Sequence, residues 1–319
     1  MKRNNSFDSL KYLAMMEVIF IHFMYFFDED LLGYIRNTIP YALIFKGLSA
    51  KVGLAVLAVI SGYFSCRNKK NKSFVLYTVK KYLYFFLYCF AGSLLYCLIN
   101  HDHQFSFSLS NLLIKSLFFE EDYYYYLWFV KSFFIGNIVS FLIGKLNIPI
   151  YAVVAFFFVL ILTGEQYVAA FLIGCVLSAL MDQEPPILNN KYLHLAFVFL
   201  ILILPKIETE YAYSLYGICG AFLVILSQKN KPFHGFLENR FLSFFGRITM
   251  PILIVHYGCM YIFEGMGTKP LLLTYVMWML ITHISAYLIS IPLDYLNKSI
   301  NDLVDGIYRS IMLRIKTDE

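Results

Sequence analysis

An all-α polytopic membrane bundle of about ten transmembrane helices, both termini cytoplasmic, is the fold this sequence predicts. Three observations carry it. The 319 residues are 60% hydrophobic and only 15% charged, against about 25% charged in a soluble domain, and mean hydropathy is +0.65. A water-soluble core cannot hide that much apolar surface. The apolar residues fall in runs near the length needed to cross a ~30 Å hydrocarbon core. Lysine and arginine gather in alternate loops between those runs.

The runs are 9–27, 47–65, 82–99, 124–143, 148–163, 166–181, 192–205, 211–227, 243–263 and 271–293. Tyrosine and tryptophan mark their ends, as at Tyr123 to Trp128, because amphipathic rings favour the membrane interface. With the N-terminus inside, 19 of the 26 Lys and Arg residues fall on the inner side, among them Arg67, Lys69, Lys70, Lys72, Lys80 and Lys81. The positive-inside rule then places both termini in the cytoplasm. The first run has no small-residue cleavage site after it and reads as a retained helix. No linker is visible, so residues 1–319 read as one integral-membrane domain. The longest outer loop, about 100–122, holds His101, His103 and Glu120-Glu121-Asp122, and loops of that length are often functional.

The net charge of +5 sits beside apolar spans, so it points to membrane lipids and excludes nucleic acid as a partner. The six cysteines lack Cys-x-x-Cys spacing and lie mostly inside spans, which suits buried thiols. His101-x-His103 has no third ligand beside it, and no metal is expected.

The first span carries Lys11, Glu17 and His22. Ionisable groups inside a membrane are costly and mark functional paths. The eleven-residue step from Lys11 to His22 returns to within about 20° of one face, roughly 16 Å further along the axis. Lys11, Met15, Val18 and His22 form one stripe, a cation near one membrane face and an imidazole deeper in. A neutral imidazole can act as a general base near neutral pH. Glu17 lies about 140° around the helix from His22. For it a structural ion pair and a catalytic role both stand open. The basic cluster from Arg67 to Lys81 reads either as charge facing anionic lipids or as a phosphate clamp. The ninth span repeats the layout of the first: Arg247 at its inner end, His256 about 13 Å further on, and Pro251 expected to bend the helix between them. His194, His234 and His283 read as ordinary packing residues.

These motifs resemble the membrane acyltransferase-3 family of integral-membrane O-acyltransferases. The resemblance rests on Lys11 through His22, a basic residue, a ten-residue gap and a histidine. It rests further on Ile60-Ser61-Gly62-Tyr63-Phe64, Leu127-Trp128-Phe129-Val130, Phe171-Leu172-Ile173-Gly174, and Gly246 through His256. Two departures stand out. Lys80-Lys81 occupies the region where the family often has Arg-x-x-Arg, and Thr249-Met250 replaces its Ser-aromatic pair.

The resemblance implies an O-acyltransferase, with acetyl-CoA or another acyl-CoA as cytoplasmic donor and a glycan or lipid-linked sugar as acceptor. It implies His22 and Glu17 as catalytic residues. Lys11, Lys80, Lys81 and Arg247 would bind the donor, and His256 and Trp128 would lie on the acceptor side. The location would be a multi-pass cell membrane. A transporter or flippase for a lipid-linked sugar, using Lys11, Glu17 and His22 as a path, is the alternative from another class. Such transporters show broken helices in matched halves, and the only candidates, Pro251 and Pro292, both fall in the second half.

Overall fold

The computed structural model describes residues 4–27, 50–67, 73–99, 109–119, 128–162, 166–203, 212–263 and 271–317. Regular structure among them is entirely helical. In chain order the helices are α1 (Asn5–Phe27), α2 (Ala50–Arg67), α3 (Phe74–Ile99), α4 (Leu109–Phe118), α5 (Trp128–Leu146), α6 (Ile150–Leu162) and α7 (Gln166–Gln183). After a 3-10 turn at Pro186–Asn189 come α8 (Lys191–Ile203), α9 (Ala212–Lys229), α10 (Lys231–Leu237), α11 (Arg240–Arg247), α12 (Thr249–Phe263) and α13 (Leu271–Thr317). Stretches long and apolar enough to cross a membrane lie at Phe74–Leu95, Phe129–Leu146 and Leu273–Arg314. Shorter apolar helices occupy most of the other expected spans.

The described helices group into two compact units that interleave along the chain. One comprises Met1–Lys69, Ile135–Thr249 and Met266–Val276. The other comprises Lys70–Phe134, Met250–Gly265 and Met277–Glu319.

In the first unit α2 is the central element. Val52 through Ile60 are buried in succession, the pattern of a helix that is apolar all round because helices cover every side of it. α1, α7 and α9 pack on it. The approaches are close because glycine removes the side chain at each crossing. A Cβ on Gly62 would overlap the Phe171 carbonyl, one on Gly174 the Val59 carbonyl, and one on Gly53 the Ala14 carbonyl. Membrane helices associate through small residues in this way. Helix ends are set by asparagine. The side chains of Asn230 and Asn239 accept from the first turns of α10 and α11, and Asn4 accepts from Ser6 N–H at the start of α1, the usual N-cap arrangement. At the end of α5, Asn147 takes φ of 51° and Ile148 N–H donates to the Ile143 carbonyl at 3.1 Å. That is a Schellman stop, followed by Pro149.

In the second unit α4 falls inside the expected outer loop. It is held to α3 by Tyr82, which donates from Oη to the Leu117 carbonyl at 2.7 Å, and by an aromatic knot of Tyr82, Phe119 and Phe134. α13 runs 47 residues, about 70 Å, well past the expected end at residue 293 and through Pro292.

The ninth expected span is not one bent helix. It divides at Ile248 into α11 and α12. Pro251 does not cause the break, because it stands third in α12. Its missing N–H is one of the donors that the first turn leaves unpaired in any helix. The Thr249 hydroxyl donates to the Gly246 carbonyl at 2.7 Å across the junction.

Candidate active site

α1 is unbroken from Asn5 to Phe27, so the stripe expected from the eleven-residue step exists as one helical edge. Met15 and Val18 in its middle are buried, while Lys11 and His22 at its ends are half-buried. Lys11 is not a lone cation. Its Nζ lies 2.6 Å from Asp8 Oδ1, one turn back, and Asp8 is buried. Residues three apart are neighbours on a helix surface, so this pair was legible in the sequence, although the carboxylate drew no attention there. Asp8 is also where α11 meets α1: a Cβ on Gly246 would overlap the Asp8 carbonyl oxygen, and Tyr12 stacks on Phe245 at 5.4 Å. A polar cluster fixes this end. Gln228 donates to Ser6 Oγ at 2.7 Å and accepts from Asn4 at 2.8 Å, and the Ser243 hydroxyl donates to Asn5 Oδ1 at 3.1 Å. Arg247, the last residue of α11, is exposed beside that junction.

Glu17 occupies another side of α1. It lines a cavity of about 460 Å³ together with Leu13, Phe20, Val56, Leu223 and Tyr275. The α1 positions that line the cavity are centred roughly 140° from the Lys11–His22 edge, and neither of those two residues is among them. The backbone of Gly53 on α2 lies beside the Glu17 carboxyl. Glu17 Oε1 is shielded from solvent with no hydrogen-bond partner among the described residues.

At the C-terminal end of α2, Arg67 donates to the Tyr63 hydroxyl and to Asp182 of α7, and Tyr63 stacks on Phe7 of α1 at 5.3 Å. The rest of the basic loop, Asn68 to Lys72, lies outside the described residues, as do His101, His103 and the acidic stretch 120–122.

In the second unit Lys80 pairs with Asp305 of α13 at 2.6 Å. Lys81 sits 5.9 Å from the ring centre of Tyr77 and 5.8 Å from that of Tyr84, within cation–π range. His256 is fully buried on α12. Its Nδ1 faces the Leu253 carbonyl at 2.6 Å. A carbonyl can only accept, so Nδ1 carries the proton, and in the neutral ring the lone pair lies on Nε2. The Trp278 indole donates to the His256 carbonyl at 2.9 Å. Trp128 is the first residue of α5. Among the described residues no three His, Cys, Asp or Glu side chains gather as a metal set, and none of the described cysteines forms a disulfide.

A family model described as an acyltransferase domain matches residues 4–295, a range that runs through both units. The chain belongs to the acyltransferase-3 family. It is an acyltransferase, and its apolar helices are those of a membrane enzyme. No curated protein and no solved structure matches the chain.

Membership gives the sequence motifs a physical reading. The Ser-Gly-aromatic end of α2 and the Phe-Leu-Ile-Gly run of α7 are two sides of one helix crossing, with Gly62 over Phe171 and Gly174 over Val59. Ser65 of α2 donates to Asn137 Oδ1 of α5 at 2.6 Å nearby. Those two motifs of this acyltransferase build the scaffold on which α1 packs.

Proposed function

We propose that the chain is a multi-pass O-acyltransferase of a bacterial cell membrane, with ten spans and both termini cytoplasmic, that moves an acyl group, by default acetyl, from cytoplasmic acyl-CoA to a sugar hydroxyl. The acceptor is a surface polysaccharide or lipid-linked glycan. The unbroken course of α1 carries this reading. It keeps Lys11 and His22 on one edge about 16 Å apart, so one group can hold donor phosphate while the other reaches the acyl carbon through the extended donor arm.

His22 takes the proton of the acceptor hydroxyl as its oxygen attacks the thioester carbonyl. The carbon–sulfur bond breaks, and the thiolate of coenzyme A leaves toward the inner side and is protonated there. Lys11, Arg247, Lys80 and Lys81 supply the phosphate contacts. Two of these cations already have carboxylate partners, Asp8 and Asp305, so donor phosphates must compete for them or share them. His256 and Trp128 serve the acceptor side. Glu17, expected with His22 as a catalytic group, enters here as a positioning residue, because it lies about 140° around α1 from His22.

Labelled acetyl-CoA supplied to inverted membrane vesicles tests the reading. Label passes to glycan with the wild-type chain and does not with His22→Ala. Transfer that survives His22→Ala refutes the assignment of the base. Sugar uptake with no acyl donor present would favour transport instead.

A further inference from the structure

The cavity beside Glu17 lies on the side of α1 away from the Lys11–His22 edge. Eleven of its residues have purely apolar side chains, and Glu17 and Tyr275 are the two that carry oxygen. Tyr275 is engaged at its ring by Phe20 and Phe23, at 5.7 and 4.9 Å between centroids. The cavity follows α1 from Leu10 to Ile21, roughly 16 Å of helix, and its volume of about 460 Å³ falls in the range of small-molecule sites. A carboxyl oxygen in an apolar wall, shielded and without a partner among the described residues, is costly unless something supplies the missing bond.

The chemistry narrows the occupant. One carboxylate does not hold a metal. Donor phosphates would be repelled by it. A chain of waters for proton transfer needs polar partners that eleven apolar side chains do not give. An ammonium satisfies Oε1 only when Glu17 is ionised, and an ester carbonyl only when it is protonated. A hydroxyl both donates and accepts, so it satisfies Oε1 in either state.

We propose that this cavity binds a long-chain alcohol, its apolar chain lying along α1 between α2, α8 and α9 and its hydroxyl hydrogen-bonded to Glu17. The hydroxyl can belong to a free fatty alcohol or to the glycerol of a single-chain lipid. The site does not rest on the acyl-transfer reading, and its readout is binding.

The test uses the full chain in lipid nanodiscs and a diazirine-bearing analogue of 1-dodecanol, with the matching diazirine alkane as control. The alcohol probe labels the Leu13–Ile21 segment or Leu223, and 1-dodecanol competes about tenfold better than dodecane, the worth of one hydrogen bond to a buried partner. Glu17→Leu removes that preference, Glu17→Gln retains it because a carboxamide also donates and accepts, and Leu223→Trp narrows the cavity and lowers labelling by both probes. Should Glu17→Leu fail to fold, the Gln and Trp variants still decide. Competition by 1-monolaurin beyond that of dodecanol assigns the glycerol of a lipid, and competition by dodecanol alone assigns a free alcohol. Equal competition by alkane and alcohol in the wild-type chain, or labelling of a folded Leu223→Trp protein at wild-type levels, overturns the proposal.

Discussion

Two stretches of this acyltransferase carry the same pattern, a cation followed nine to eleven residues later by a histidine, and they fold differently. In α1 the stretch from Lys11 to His22 is continuous helix. From Arg247 to His256 the backbone leaves the helix at Ile248, with φ of −103° and ψ of 26°, and a new helix begins at Thr249. Spacing converts to a shared face only while the helical period runs unbroken. The first pattern therefore aligns a cation with an imidazole, and the second does not inherit that alignment from its spacing. The local causes are visible. α11 is an eight-residue helix with its own asparagine cap, and it ends where Gly246 seats on Asp8. α12 can begin afresh because Pro251 falls within its first turn.

The largest expected effect sharpens this contrast. His22→Ala lowers acyl transfer in inverted vesicles by 10²–10⁴-fold, the usual contribution of a positioned general base. If His256 serves the acceptor as proposed, His256→Ala raises the acceptor KM with a smaller change in kcat. Equal losses of kcat in the two variants would break the comparison and give both histidines the same part.

Next come the close contacts that hold α1 and α2 in place. Gly246→Ala drives a methyl group into the backbone of α1 at Asp8, and Gly62→Ala drives one into α7 at Phe171. Backbone cannot yield as a side-chain tip does, and overpacking costs about 1–3 kcal/mol or more. Thermal unfolding in detergent should fall by several degrees for each. Gly235→Ala is the control, since nothing stands within 4 Å of its Cβ, and its Tm should not fall. An unchanged Tm in Gly246→Ala would mean that α11 is not seated on α1.

The third effect separates charge from structure at Lys11. Lys11→Ala raises the apparent KM for the acyl donor and also lowers stability, because it removes the Lys11 ammonium from the buried Asp8 carboxylate. Adding Asp8→Asn restores stability and leaves the raised KM in place. If the double variant recovers donor affinity as well, Lys11 serves only to neutralise Asp8.

Much of this was readable in the sequence, and the misses share a cause. Apolar runs located the helices, because length and hydropathy are local properties. The Lys11–His22 edge followed from period alone. The break at Ile248 is not marked by Pro251, which stands three residues later, and proline inside a first turn is harmless. α4 was missed because ten residues with exposed and buried positions intermixed do not make an apolar run. The partners of Arg67 and Lys80, Asp182 and Asp305, lie 115 and 225 positions away in the sequence. No spacing rule reaches that far, so both cations read as open to phosphate. The cavity beside Glu17 draws on α1, α2, α8, α9, α10 and the start of α13, and only the packing of the helices reveals it.

The smallest effect extends the comparison to a third stretch. α13 continues as helix past residue 293 and through Pro292 to Thr317, where the apolar pattern alone predicts an end. Gly306 lies in this extension with nothing within 4 Å of its Cβ, one residue from Asp305, the partner of Lys80. In an intact helix interior, glycine costs about 0.8–1.0 kcal/mol relative to alanine. Gly306→Ala should therefore raise stability by up to about 1 kcal/mol, read as a small rise in Tm, while Gly306→Pro costs about 3 kcal/mol and loosens the Lys80–Asp305 pair. A chain that had left the helix at Pro292 would show neither the gain nor the loss. α13 would then join the ninth span as a segment whose helical period fails, and α1 would remain the stretch where spacing can be trusted to set a face.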